Sequence, residues 1–144
     1  KLTPIQPTAG KGIRGKIEIY PKYQKGLQNL AEFSQIILLY HMHKAKQYNL
    51  LAKPFMDNTK RGIFSIRAPS RPNPIGFSIV KLKKIENNII YIQDIDILDG
   101  TPLLDIKPWV GEFDQRENIQ KGWLEKNVHK LDETRDDGRY EKEE

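Results

Sequence analysis

The apolar residues of this chain cluster in short segments with turn-forming residues between many of them. The segments read as strands are Lys16–Tyr20, Phe33–His43, Leu50–Phe55, Gly62–Arg67, Ile75–Ile85 and Ile89–Asp96. Lys16–Tyr20 alternates polar and apolar residues, the period of a half-buried strand. Phe33–His43 is too rich in Ile, Leu and Tyr to be half exposed, which makes it a central strand. Asn87-Asn88 suits the tight turn of a hairpin, because Asn tolerates positive φ. Two helices are expected at most. One covers Pro21–Leu30, where Tyr23, Leu27 and Leu30 fall at helical spacing after a proline. The other covers Gln115–Leu131, with Ile119, Trp123 and Leu124 on one side. Short strands between turns predict an all-β barrel or sandwich with one or two short peripheral helices. Strand and long helix do not alternate, and neither G-x-G-x-x-G nor G-x-x-x-x-G-K-[ST] occurs. The doubly wound nucleotide fold and the phosphate loop are thereby set aside.

The 144 residues suffice for one domain. The absence of cysteine excludes a disulfide scaffold, a thiolate nucleophile, an iron–sulfur cluster and the common structural zinc sites. Ile36–Tyr40, the longest unbroken apolar run, is far short of a membrane span. The charge is unevenly placed. Residues 1–111 hold 17 basic and 8 acidic side chains, whereas residues 112–144 hold 7 and 11. A net charge of +9 on the body fits two readings equally, a solvated surface or a site for a polyanion. Residues 132–144, acidic and without an aliphatic side chain, read as a flexible tail.

Three segments carry chemistry. Arg67-Ala-Pro-Ser-Arg-Pro-Asn-Pro-Ile-Gly76 has three prolines in six residues, with Asn73 and Gly76 free to adopt unusual turns. Two arginines on so stiff a loop can grip carboxylate or phosphate at low entropic cost, or simply decorate a rigid corner. Arg67 continues the preceding strand and is expected nearer the barrel, whereas Arg71, between prolines, is expected to project outward. Asp94, Asp96, Asp99 and Asp105 gather around a Gly-Thr-Pro turn. Their spacing is not that of an EF-hand, and carboxylates before such turns commonly satisfy turn amides, so no metal is assigned. In Tyr40-His-Met-His-Lys44, two histidines without cysteine or a third ligand make a weak zinc signal. A pocket histidine is the simpler reading, with His43 and Lys44 lining a site.

Taken together, these segments resemble the TsaA-like or YaeB-type domain family, whose characterised bacterial members are the TrmO tRNA methyltransferases. The matching stretches are Pro4-Ile-Gln-Pro7, Gly15-Lys-Ile-Glu-Ile19, Gly26-Leu27, Phe33-Ser34, Gly62-Ile-Phe64, Arg67, Arg71-Pro-Asn-Pro-Ile-Gly76 and Asp99-Gly-Thr-Pro102 with Asp105-Ile-Lys-Pro108. Gln35, Ile66 and Trp109 depart from the family's common residues there. The resemblance implies a β-barrel domain over residues 1–114, and the sequence pattern adds a peripheral helix over 115–131 and a tail over 132–144. The resemblance also implies that a further strand, with the family's Pro-Ile-Gly-x-Ile pattern, precedes Lys1.

The function it implies is transfer of a methyl group from S-adenosylmethionine to N6 of N6-threonylcarbamoyladenosine beside a tRNA anticodon of the threonine type. The enzyme is expected to be a cytoplasmic homodimer with no membrane association. By motif, the cofactor meets Ile5, Gln6, Pro7, His43, Lys44, Arg67, Asp99, Gly100, Thr101 and Pro102, while Arg71, Asn73 and Lys107 face the tRNA. The accepting nitrogen is urea-like, so its proton must leave, and the candidate acceptors are Asp96, Asp99 and the substrate's own carboxylate. The alternatives are an S-adenosylmethionine-binding sensor and an RNA-binding module without methyl transfer.

Overall fold

The computed structural model describes residues 12–55 and 57–126. Among these residues seven strands are present: β1 (Arg14–Glu18), β2 (Gln35–His41), β3 (Leu51–Ala52), β4 (Arg61–Gly62), β5 (Ile75–Glu86), β6 (Ile89–Gln93) and β7 (Leu103–Pro108). Five form one antiparallel sheet in the order β1-β6-β5-β2-β7, and β3 pairs with β4 in a separate ribbon. The fold is all-β, as expected. β1 and β7 are the outer members of the five-stranded sheet, and no ladder joins them among the described residues.

Strict alternation explains the core. In β2, Ile36, Leu38 and Tyr40 point inward, and opposite them on β5 stand Val80, Ser78 and Gly76. Ile90 and Ile92 of β6 complete the buried cluster, with Ile17, Ile95, Ile97, Leu103 and Ile106 packed around it. The Asn87-Asn88 hairpin joins β5 to β6 with Asn87 at φ 53°, a positive value that Asn tolerates at low cost. A bulge between Leu82 and Lys84 makes Lys83 the extra residue and restores Ile85 to the inner face.

Several expected elements are shorter than the sequence suggested. Pro21–Leu30 does not form one α-helix but a 3₁₀ segment, Pro21–Leu27, followed by another at Leu30–Glu32. Asn29 between them, at φ 69°, cannot continue a right-handed helix. Leu50–Phe55 and Gly62–Arg67 contribute only the two-residue strands β3 and β4, and Ile63–Ser65 turns into a 3₁₀ segment. The segment around Asp105 forms β7, which the sequence reading missed.

The helix expected over 115–131 is not there in its described part. Instead a single turn, α1 (Gly111–Asp114), ends as Gln115 becomes extended at ψ 139°, and Gly122–Lys126 forms a 3₁₀ segment. Asn118 at φ 55° and Gly122 at φ 57° lie in the left-handed region and interrupt any longer helix. The rest of that expected helix and the acidic tail lie outside the described residues. No helix among the described residues is long and apolar enough to cross a membrane.

Candidate active site

The carboxyl end of β2 is where the chemically suggestive motifs meet. His41 donates its backbone N–H to the Pro102 carbonyl at 2.9 Å, and Met42 donates to the Pro74 carbonyl at 2.8 Å. The proline-rich loop and the Asp99–Pro102 turn therefore clasp the chain on either side of His41-Met42. The next residue, His43, has its Nδ1 buried without a hydrogen-bond partner among the described residues. A buried polar atom left unpaired is costly, and one placed where two loops converge is a contact ready for a ligand.

The Asp99 turn is shaped by its own backbone. Thr101 N–H and Oγ1 both donate to the Leu98 carbonyl, at 3.3 and 2.7 Å. Gly100 takes φ 79° at the third position of the turn, where a side chain would be strained. These bonds leave the Asp99 carboxylate exposed, with no ion pair among the described residues.

The two arginines of the stiff loop differ in exposure, and Arg71 departs from expectation. Arg71 does not project outward. It is half-buried, and its Nη1 donates to the carbonyls of Ile66 at 2.7 Å and Ala68 at 3.2 Å. Arg67 is the exposed one. Its guanidinium carbon stands 5.9 Å from the centre of the Phe77 ring, and it has no carboxylate partner among the described residues. The physical reason is that carbonyls 66 and 68 turn back toward Arg71 and draw its guanidinium inward, since the prolines cannot donate to them.

The four aspartates separate into four roles. Asp94, at φ 70°, accepts from Gly12 N–H at 2.6 Å and fixes the start of β1. Asp105 accepts from Ile106 N–H and pairs with Lys107 at 2.8 Å, and both side chains are substantially exposed. That pair occupies Lys107, expected to face the tRNA; Asn73, expected likewise, is exposed on the loop. No cluster of three or more His, Asp or Glu suited to a metal ion occurs among the described residues.

Asp96 is the interior one. Ser78 Oγ donates to its Oδ1 at 2.8 Å. Because that hydrogen is committed, the 2.8 Å contact between Tyr40 Oη and Ser78 Oγ has Tyr40 as donor. Burial raises the Asp96 carboxyl above the usual carboxylate range, although the Ser78 bond opposes it. Burial likewise pushes the Tyr40 hydroxyl up to about 12. This chain of hydrogen bonds lies on the inner face of β5, whereas Phe77 and Arg67 lie on the outer side. The structure thus separates Asp96 from Arg67 and leaves Asp99, at the junction, as the accessible carboxylate.

One participant was misread from sequence. Trp123, expected on a helix, donates Nε1–H to the Ser65 carbonyl at 2.9 Å and packs on the small buried cluster Ile63, Ile66 and Ala68. With Arg71, it leaves the carbonyls of residues 65, 66 and 68 all capped by side chains, so Arg67 is presented from a braced segment. A lone tryptophan in a charged extension was the available signal. Trp123→Phe keeps the ring and loses the donor. The expected cost is about 0.5–1.5 kcal/mol of stability, with faster amide exchange at Ile63 and Ile66.

Of the cofactor contacts expected from sequence, Ile5, Gln6 and Pro7 lie outside the described residues. The Pro102 carbonyl holds the Asp99–Pro102 turn against the end of β2, which His43 and Lys44 follow, and Arg67 stands over Phe77 on the outer face of β5.

The family model of the tRNA-methyltransferase O N-terminal domain matches residues 1–115. The chain belongs to that family. It is 58% identical over 140 residues to a probable S-adenosyl-L-methionine-binding protein of Pyrococcus abyssi, covering 97% of this chain and 76% of the relative. It is 36% identical to the tRNA (adenine(37)-N6)-methyltransferase of Mus musculus, covering 90% of this chain but 31% of that protein. The crystal structure of TrmO from Pseudomonas aeruginosa matches with a TM-score of 0.67 at 34% identity, over 83% of this chain and 53% of that one. The chain therefore spans about half of the TrmO structure and about a third of the mouse enzyme. Trp123 lies beyond the part that the family model matches.

Proposed function

We propose that this domain binds S-adenosylmethionine at the end of β2 and transfers its methyl group to N6 of a tRNA adenosine carrying a threonylcarbamoyl group. The observation that carries the reading is the junction itself. Pro74 and Pro102 clasp His41-Met42, the buried His43 Nδ1 that follows has no hydrogen-bond partner among the described residues, and the Asp99 carboxylate of the Pro102 turn is open. Relatives named as tRNA (adenine(37)-N6)-methyltransferases and as S-adenosyl-L-methionine-binding proteins support the same chemistry.

The residues present fit such a cofactor. It carries a cationic sulfonium, a carboxylate, an amine and an adenine, which call for an anion, a cation and hydrogen-bonding groups. When bound it supplies an electrophilic methyl group. Asp99 offers the negative charge, Arg67 a guanidinium for a carboxylate, and His43 Nδ1 a hydrogen-bond position. The turn amides and carbonyls of Gly100–Pro102 complete the polar lining. Methyl transfer is an in-line displacement that depends on alignment, and the two proline-braced loops reduce the freedom lost in holding it. In this reading Asp99 takes the proton from the urea-like nitrogen. Asp96, turned inward, supports the strand ends instead. The threonyl carboxylate of the modified base is a second anion that Arg67 can meet.

A homodimer in the cytoplasm accompanies this reading. On the outer face of β2 and β5, Ile37, Leu39, Ile79, Ile75 and Phe77 form an apolar strip, with Ile75 50% and Phe77 45% exposed. A strip of this kind suits a second copy of the chain, and it borders Arg67.

Nucleoside mass spectrometry tests the reaction. Protein, S-adenosylmethionine and tRNA with or without the threonylcarbamoyl group should yield a methylated product only with the modified tRNA. Cofactor binding without product would favour the sensor. Neither binding nor product would leave an RNA-binding module. Calorimetric titration separates the arginines. Arg67→Ala should weaken binding by about 10–150-fold with an unchanged melting temperature, the loss of one charged hydrogen bond of about 1.5–3 kcal/mol. Arg71→Ala should lower binding and melting temperature together, because it uncaps two carbonyls.

A further inference from the structure

The outer face of β5 changes character along its length. Ile75, Phe77 and Ile79 are followed on the same face by Lys81 and, past the bulge, Lys84. Register places other cations beside them. Arg14 of β1 faces Gln93 of β6, which faces Lys81; one row on, Lys16 faces Tyr91, which faces Lys84. Neighbouring strands lie about 4.8 Å apart and alternate residues about 6.7 Å, so these four cations occupy a patch roughly 10 Å by 7 Å at the backbone. Tyr91 is half-buried at its centre, with Lys84 Nζ 4.8 Å from its ring centre.

The acidic groups do not cancel this field. Glu18 and Glu86 form the next row with Ile89, and Glu86 pairs with Lys84 at 3.0 Å. Arg14, Lys16 and Lys81 are exposed and have no ion-pair partner among the described residues. Extended Lys83 adds a further exposed charge at the bulge. A sheet face evolved only for solubility gains from interspersed signs, which are largely absent from these two rows. Five residues of strand, roughly 17 Å, separate Lys81 from Gly76 at the candidate site.

We infer that Arg14, Lys16, Lys81 and Lys84 form a docking face for the phosphate backbone of RNA, holding a tRNA stem while its loop reaches the end of β2. This rests on the proposed tRNA substrate and adds the surface that carries it. Phosphate contacts position the nucleic acid and release counterions, so their signature is salt dependence rather than base preference.

The test uses the full chain and a triple variant, Arg14→Gln, Lys16→Gln and Lys81→Gln, none of which touches the candidate site. Fluorescence anisotropy with a tRNA transcript, from about 50 to 200 mM salt, should show at least a tenfold loss of affinity at the lowest salt. The slope of log affinity against log salt should fall by about 2–3, near 0.7–0.9 per contact. In the methylation assay KM should rise with kcat at saturating tRNA unchanged, and cofactor affinity should match wild type. Unchanged tRNA affinity and slope would overturn the docking face while leaving the methyltransferase reading intact. A wild type that binds cofactor but no tRNA would overturn both. Vesicles of anionic phospholipid that hold wild type but not the variant, with tRNA binding equal in both, would assign the face to a membrane instead.

Discussion

Asp99→Asn is expected to lower methyl transfer by about 10²–10⁴-fold, the usual contribution of a positioned proton acceptor. It should leave stability nearly unchanged, because the Asp99 side chain is exposed and its turn is held by Thr101 and Gly100. Asp96→Asn should do the reverse. Its carboxyl is raised by burial, so the folded protein binds the proton more tightly than the unfolded chain does. Below the unfolded value of about 3.9 both states are protonated and ionisation costs nothing. As pH rises through the window up to the folded value, the unfolded chain ionises first and stability falls. The cost is fully present above that window. Asparagine removes it, so the variant should gain stability over wild type between pH 4 and 7 and none near pH 3. Denaturant unfolding across that range, beside single-turnover methylation, reads both effects. Activity lost with Asp96→Asn and kept with Asp99→Asn would reverse the assignment.

The sequence made part of this legible through particular residues. The unbroken apolar run Ile36–Tyr40 revealed β2 as a central strand, since a strand buried on both faces needs apolar residues at every position. The proline-rich loop and the Gly-Thr-Pro turn pointed to a site only through the family resemblance, because by residue type alone they equally suit a rigid corner and a capped turn. Three things were hidden. The roles of Arg67 and Arg71 depend on where carbonyls 66 and 68 turn, a backbone property that no side-chain pattern records. β7 was hidden because Asp105 and Lys107 fall on its outer face and dilute its apolar signal. The long helix over 115–131 failed because the apolar spacing of Ile119, Trp123 and Leu124 outweighed Asn118 and Gly122 in the reading. In the fold these two residues bend the chain so that Trp123 reaches Ser65.

Gly76→Ala is expected to destabilise the fold by about 1–3 kcal/mol, the range for forcing extra volume into a packed interior. Gly76 is buried and faces Tyr40 directly in the β2–β5 ladder. A methyl group built there would meet three atoms of the Tyr40 ring, all within 2.6 Å, closer than any real contact. The backbone cannot retreat, because Met42 N–H and the Pro74 carbonyl pin the strand end and the ladder pins the rest. The ring must move instead. Its hydroxyl then loses Ser78, and the raised Asp96 carboxyl loses the donor behind Ser78. Glycine at this position therefore serves close approach rather than a turn, and the same contact joins the core to the candidate site. Pairing Gly76→Ala with Tyr40→Leu distinguishes this from a general intolerance of alanine. If the ring is the obstacle, the two losses should fall short of additive by at least about 0.5 kcal/mol in denaturant melts. Strict additivity would mean that the cost of alanine arises in the backbone, not against Tyr40.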